Sequence, residues 1–114
     1  MNTLRWEKGG SLRALQDGGG LLANVIDRYE LAFYLADDDV FVTSDVCTHG
    51  QARLSPGYLI GELIECPMHQ GLFDVRTGAV AGPPCTLDVQ SFPAKVIEGV
   101  VYVGLPATDS SLGQ

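Results

Sequence analysis

A chain of 114 residues is long enough for one domain, with a core that needs no disulfide support. Hydrophobic residues at 46% and charged residues at 18% exclude a disordered chain. Seven basic against fourteen acidic side chains, a net charge of −7, exclude a general nucleic-acid binder, which needs a basic face; a basic protein partner is compatible. No run of ~18 uncharged apolar residues is present to span a membrane as a helix.

Fourteen glycines favour a turn-rich β fold. Residues 4–7 predict a first strand, and Ser11 to Gln16 one helical turn with Ser11 as N-cap, stopped by Gly18-Gly19-Gly20. Leu21–Ile26, Glu30–Ala36 and Val40–Thr43 read as strands, joined at Asp27-Arg28-Tyr29 and at the polar turn Asp37-Asp38-Asp39. From Asp45 to about Cys85 the pattern changes and Cys, His, Gly and Pro become dense. Within that stretch Gly61–Glu65 and Leu72–Val75 predict short strands, and Gly57 and Gly78 mark turns. Ser91–Ile97 and Val100–Val103 predict a terminal hairpin around Glu98-Gly99 with type I′ turn chemistry. Tyr29, Phe33, Tyr34 and Phe41 are expected in the core or as partners on a sheet face, and Trp6 at an edge of the base. The tail from Pro106 to Gln114 is small and polar and is expected to fray.

The organisation is therefore a β base in two pieces, 1–44 and 86–105, with an insert at about 45–85 that holds both histidines and all three cysteines. The first eight residues contain no apolar h-region, so no secretory signal is expected and the cytoplasm is the expected compartment. An odd number of cysteines there points to metal or redox chemistry.

Two motifs carry that chemistry. Cys47-Thr48-His49 and Cys66-Pro67-Met68-His69 each offer one thiolate and one imidazole, and sixteen residues separate His49 from Cys66. Pro67 suits the second position of a turn across Cys66 to His69. A single Cys-x-His is weak evidence, because a lone cysteine is usually a small buried hydrophobe. Two such pairs are much stronger. Cys2His2 donors can hold structural zinc, but zinc fingers pair like with like at each end. A mixed pair in each loop also suits a binuclear iron centre with two sulfur and two nitrogen donors.

C-T-H followed by C-P-M-H at this spacing resembles the Rieske motif, and the C-T-H-G and C-P-x-H-Q-G runs are most similar to the Rieske ferredoxins of aromatic-ring-hydroxylating dioxygenase systems. The resemblance covers about Leu4 to Leu105, and Gly82-Pro83-Pro84 sits where the family places a proline-rich third loop. It implies an all-β fold: an antiparallel β sandwich with a small cluster-binding subdomain. It implies one Rieske-type 2Fe-2S cluster, with Cys47 and Cys66 on one iron and His49 and His69 on the other.

The function so implied is a soluble one-electron carrier, not an enzyme. It takes electrons from an NAD(P)H-dependent flavin reductase and passes them to a terminal Rieske non-haem iron oxygenase. All four ligands are consumed by the cluster, no histidine remains as a general base, and no dinucleotide-binding glycine motif is present. The alternative within the family is the small subunit of a reductase such as nitrite reductase. Rieske proteins of cytochrome complexes carry an extra cysteine in each loop and cluster-facing Ser and Tyr hydroxyls. Here Met68 replaces one such cysteine, and Gly71 and Phe73 replace the hydroxyls, which predicts a low potential. Cys85 reads as a packed residue rather than a fifth ligand, and Gly50, Gly71 and Gly82 as backbone residues beside the ligand loops.

Overall fold

Two-residue turns fold both ends of the base. β2 (Leu21–Ile26) turns at Asp27, with φ 55°, into β3 (Tyr29–Ala36). β3 turns at Asp37 and Asp38, with φ 53° and 66°, into β4 (Asp39–Ser44). Aspartate tolerates this left-handed conformation better than most residues. β10 (Ala94–Ile97) meets β11 (Val100–Pro106) through Glu98 and Gly99, at φ 51° and 78°. Two positive φ values are what a type I′ hairpin requires, as the Glu98-Gly99 pair predicts.

The computed structural model describes residues 3–47, 52–67, 71–83 and 87–107. Its strands form three sheets in which every pairing is antiparallel. β1 (Leu4–Ser11), β11 and β10 make one, in that order. β2, β3, β4 and β9 (Ser91–Phe92) make the second. β5 (Tyr58–Ile60), β6 (Leu63–Glu65), β7 (Leu72–Asp74) and β8 (Val80–Gly82) make the third, built wholly from the insert. The helix α1 (Leu12–Asp17) follows Ser11, whose Oγ accepts from Ala14 N at 2.9 Å, and it buries Leu15. Among the described residues no helix is long and apolar enough to cross a membrane.

Several boundaries differ from the sequence reading. β1 continues to Ser11 because its whole length pairs with β11, with a bulge between Lys8 and Gly10. Pro106 pairs with Leu4, and Ala107 N donates to Thr3 O at 2.8 Å, so the sheet runs past Val103. Ser91–Ile97 is not one strand. It breaks at Pro93, which has no N–H for a ladder; β9 joins β4 in one sheet and β10 joins β11 in another. Gly61 and Glu62 are a turn rather than strand, because β5, unpredicted, pairs with β6 through a two-residue link. β8 was also unpredicted.

Two apolar clusters fill the interior. Leu15, Leu31, Phe33, Val42, Phe92, Val101, Val103 and Leu105 pack the base. Ala32, Tyr34, Ala36, Cys47, Leu54, Ile64, Cys66, Phe73, Val75 and Val89 join the base to the insert. Ala32 and Tyr34 belong to the cluster that joins base and insert, and Leu31 and Phe33 to the cluster of the base, so β3 is buried on both faces. Trp6 remains 39% exposed, with Lys95 Nζ 4.1 Å from its ring centroid, a cation–π contact at the edge strand. Asp37, Asp38 and Asp39 are exposed, as a solvated turn should be.

The buried Tyr34 hydroxyl pairs with Thr43 Oγ1 at 2.9 Å, and Thr43 donates to Ser44 O. Burial pushes the Tyr34 phenol well above its ordinary range of about 10. The folded chain thus holds this proton after the unfolded chain has lost it, so Tyr34's contribution is intact below pH ~10 and declines as pH rises further. Tyr34→Phe is expected to cost about 1 kcal/mol at neutral pH. It should also flatten the alkaline fall in stability, read by urea unfolding at pH 8 and pH 11; an unchanged slope contradicts this account.

Candidate metal centre

Each of the two cysteine loops grows from a strand that the base or the insert holds in place. Beyond β4 the chain forms a short hairpin stem. Leu54 N donates to Asp45 O at 2.7 Å, Val46 bridges Arg53, and Cys47 N donates to Ala52 O at 2.8 Å. Residues 48–51, between the two bonded positions, lie outside the described residues. Beyond β6, Cys66 N donates to Gly71 O at 2.7 Å just after the Glu65–Leu72 pair, and residues 67–70 are the tip. Both loops therefore close in the same way, from a cysteine N–H to the carbonyl five residues on, around four intervening residues.

Cys47 and Cys66 are both buried and belong to the same apolar cluster. The fold thus places two thiols that are nineteen positions apart in sequence within one buried apolar cluster. His49 and His69 fall in the two tips and lie outside the described residues, as do Gly50, Met68, Pro84, Cys85 and the tail from 108. The turn expected at Pro67 is described only at Pro67, which is exposed. Gly71 is buried and supplies the carbonyl that closes the second loop; Gly82 ends β8 against the Leu72 side chain.

The first loop is anchored by residues that the sequence reading did not single out. Asp45, 5% exposed, accepts from Ser55 N at 2.7 Å and from Ser55 Oγ at 2.8 Å. Burial holds this carboxyl above the ordinary carboxylate range, opposed by the Ser55 bonds and by the positive charge of Arg53. Gly57 closes a turn from Leu54 and lies so near β6 that a Cβ there would stand 2.0 Å from Glu65 O. The signal available in the sequence was position: Asp45 precedes Cys47 by two residues, and Gly57 follows Ser55 by two.

The third loop has its own clasp. Val80 N donates to Asp88 Oδ1 at 2.9 Å, and Val89 N to Gly78 O at 2.9 Å. At the end of the insert sheet remote from Cys66, Arg76 pairs with Asp74 at 2.8 Å and lowers its pKa. Glu62 is raised there, chiefly by a hydrogen bond with the Asp37 carboxyl.

Comparison with known proteins agrees with this geometry. The Rieske 2Fe-2S domain matches residues 5–93. The naphthalene 1,2-dioxygenase system ferredoxin component of Pseudomonas putida is 39% identical over 94 residues, covering 82% of this chain and 89% of that protein. Ferredoxin CarAc of Metapseudomonas resinovorans is 43% identical over 98 residues, covering 86% and 92%. A chain in the solved complex of reduced oxygenase and oxidised ferredoxin of carbazole 1,9a-dioxygenase superposes with a TM-score of 0.79 at 42% identity, covering 86% of this chain and 91% of that one.

Proposed function

The chain belongs to the Rieske 2Fe-2S domain family, and from that membership we propose that it is the ferredoxin of an aromatic-ring-hydroxylating dioxygenase system. It receives one electron from an NAD(P)H-dependent flavin reductase and delivers it, in the cytoplasm, to a terminal Rieske non-haem iron oxygenase. The relatives above support this reading, since they are named as ferredoxin components and one of the matched folds was solved with an oxygenase. In the same reading residues 1–105 are one domain with a cluster-binding subdomain at about 45–85.

The residues present fit the family's cofactor. Two buried thiols from two loops of matching closure share one apolar cluster. Each tip contributes one histidine to the sequence. Cys47, His49, Cys66 and His69 would hold the cluster, and a bound 2Fe-2S centre supplies reversible one-electron redox chemistry. The chain's own part is to keep those donors fixed and to limit water. Closed loop bases and a dry floor of Ile64, Phe73 and Val75 do this, and a rigid site needs little rearrangement when its charge changes by one.

The observation that carries the proposal is the burial of Cys47 and Cys66 in one apolar cluster, each at the base of a loop closed in the same way. Anaerobic purification, dithionite reduction and paramagnetic resonance test it. A rhombic Rieske-type signal that is lost in Cys66→Ala and in His69→Ala is expected. Zinc without iron or acid-labile sulfide would overturn it.

Two further outcomes follow. Gly71 and Phe73 are buried and offer no hydroxyl to the cluster sulfurs, so nothing at these positions stabilises the added electron. The midpoint potential should lie near the low end of the Rieske range, about −150 mV; a clearly positive value in a redox titration contradicts it. The charge is also uneven. Residues 37–88 hold eight acidic and two basic side chains, against six and five elsewhere, so most of the net −7 lies in the segment that carries the cluster loops. That field should steer a basic patch on a partner, and electron delivery should slow as salt rises from 0.05 to 0.5 M, as measured by reductase-coupled turnover. A salt-independent rate would remove steering from the account.

A further inference from the structure

We propose that Asp45 is a positioning residue of the cluster, whose carboxylate clasps Ser55 and so sets the Cys47 arm of the first loop. The proposal rests on the reading of Cys47 and His49 as ligands.

All the polar groups of Asp45 are engaged, and each bond serves the loop base. Its N–H donates to Glu30 O at 2.8 Å, which fixes it to β3. Its carbonyl accepts from Leu54 N at 2.7 Å, which starts the stem. Its two carboxylate oxygens take Ser55 N at 2.7 Å and Ser55 Oγ at 2.8 Å. The side-chain clasp therefore ties a residue two positions before Cys47 to one eight positions after it, across the whole of the loop.

Besides the clasp, the described stem holds the Leu54 N–Asp45 O and Cys47 N–Ala52 O bonds and an Arg53–Glu30 ion pair that is about 40% exposed at both side chains and so contributes little. An isolated two-stranded hairpin of that size is marginal in water. A buried carboxylate is costly unless its oxygens are satisfied. Packing alone would be served by an apolar side chain. What the carboxylate adds is two acceptors aimed at one residue of the opposite arm. The second loop lacks such a clasp among the described residues, but its closing bond follows directly on the β6–β7 ladder, which stiffens its base. Among its described residues the first loop has only an isolated bridge in place of a strand pair, and the Asp45 clasp is the buried side-chain tie between its two arms.

The consequence is preorganisation. Residues that orient metal ligands typically change metal affinity by about 10- to 100-fold when removed. Asparagine can keep both bonds, accepting from Ser55 N and donating to Ser55 Oγ, whereas alanine keeps neither.

The experiment compares wild-type holoprotein with Asp45→Ala, Asp45→Asn, Ser55→Ala and the Asp45→Ala/Ser55→Ala double variant. The readouts are the rate of bleaching of visible absorbance under a chelator, the g values of the reduced cluster, and far-ultraviolet circular dichroism for the fold. Asp45→Ala is expected to bleach at least about tenfold faster with shifted g values and a native-like dichroism spectrum. Asp45→Asn should stay within about threefold of wild type with unshifted g values. Ser55→Ala, which keeps the backbone bond, should fall between them, and the double variant should be no worse than Asp45→Ala. Should Asp45→Ala fail to fold, Ser55→Ala against Asp45→Asn carries the same comparison. Asp45→Ala matching wild type, or Asp45→Asn failing as badly as Asp45→Ala, overturns the clasp. Wild-type protein without a rhombic signal overturns the ligand assignment beneath it, a separate and recognisable result.

Discussion

Gly57→Ala is expected to yield protein with at least about tenfold less iron and acid-labile sulfide per chain than wild type. The cause is a contact between loops. A Cβ at position 57 would stand 2.0 Å from Glu65 O and 3.0 Å from Leu54 O, and both are backbone atoms that no rotamer change can move. Glu65 directly precedes Cys66, and Leu54 is the buried anchor of the arm that returns from Cys47. Relief of the overlap must separate the first loop from β6, and so part the two thiols that the fold brings into one cluster. Forced overpacking costs about 1–3 kcal/mol where neighbours can yield. With two backbone oxygens in the way about 3 kcal/mol or more is expected, a large share of a typical domain stability of 5–15 kcal/mol. Wild-type iron content with an unchanged guanidinium midpoint would show that the two loops can part without loss.

The second large effect is expected at Gly78. Its φ is +82°, and a Cβ there would lie 2.0 Å from Val89 O. Two costs therefore add in Gly78→Ala: about 1–2 kcal/mol for the left-handed conformation and about 1–3 kcal/mol for the overlap. Gly61→Ala separates them. Gly61 has φ +61° with nothing within 4 Å of its Cβ position, so that variant carries the conformational cost alone. Denaturant unfolding of both variants should place Gly78→Ala below Gly61→Ala by the overlap term. Gly78 also holds the base of the third loop, since its carbonyl accepts from Val89 N and Asp88 accepts from Val80 N nearby. Aerobic bleaching of the cluster should thus accelerate in Gly78→Ala and not in Gly61→Ala. Equal stabilities and equal bleaching would remove the close approach from the account.

Much of the base is legible in the sequence because its signals are local. β2 falls on the predicted residues Leu21–Ile26, and β3 and β4 differ from prediction by one residue at an end or at each end. Ser11 caps α1 as its side chain requires. Glu98-Gly99 adopts the backbone that its turn type demands. Two of the three-residue strands of the insert are another matter. Tyr58–Ile60 and Val80–Gly82 are too short to show alternation, and they become strands because β6 and β7 offer ladders to them. Pro93 is a third kind of case. Its missing N–H was visible, but the transfer of the chain from one sheet to another depends on where β4 and β11 already lie.

The candidate centre divides along the same line. Donor identity is covalent: two cysteines and two histidines in C-x-H and C-x-x-H spacing are chemistry that one stretch of chain carries whether or not it is folded. Family and cofactor type follow from that short-range arrangement, because thiolate and imidazole choose their metals by electronic character. The placement of Cys47 with Cys66, the Asp45–Ser55 clasp and the approach of Gly57 to Glu65 involve residues eight to nineteen positions apart. Such pairs meet through packing of the insert sheet on the base, a collective result of excluded volume and buried area that no local pattern encodes.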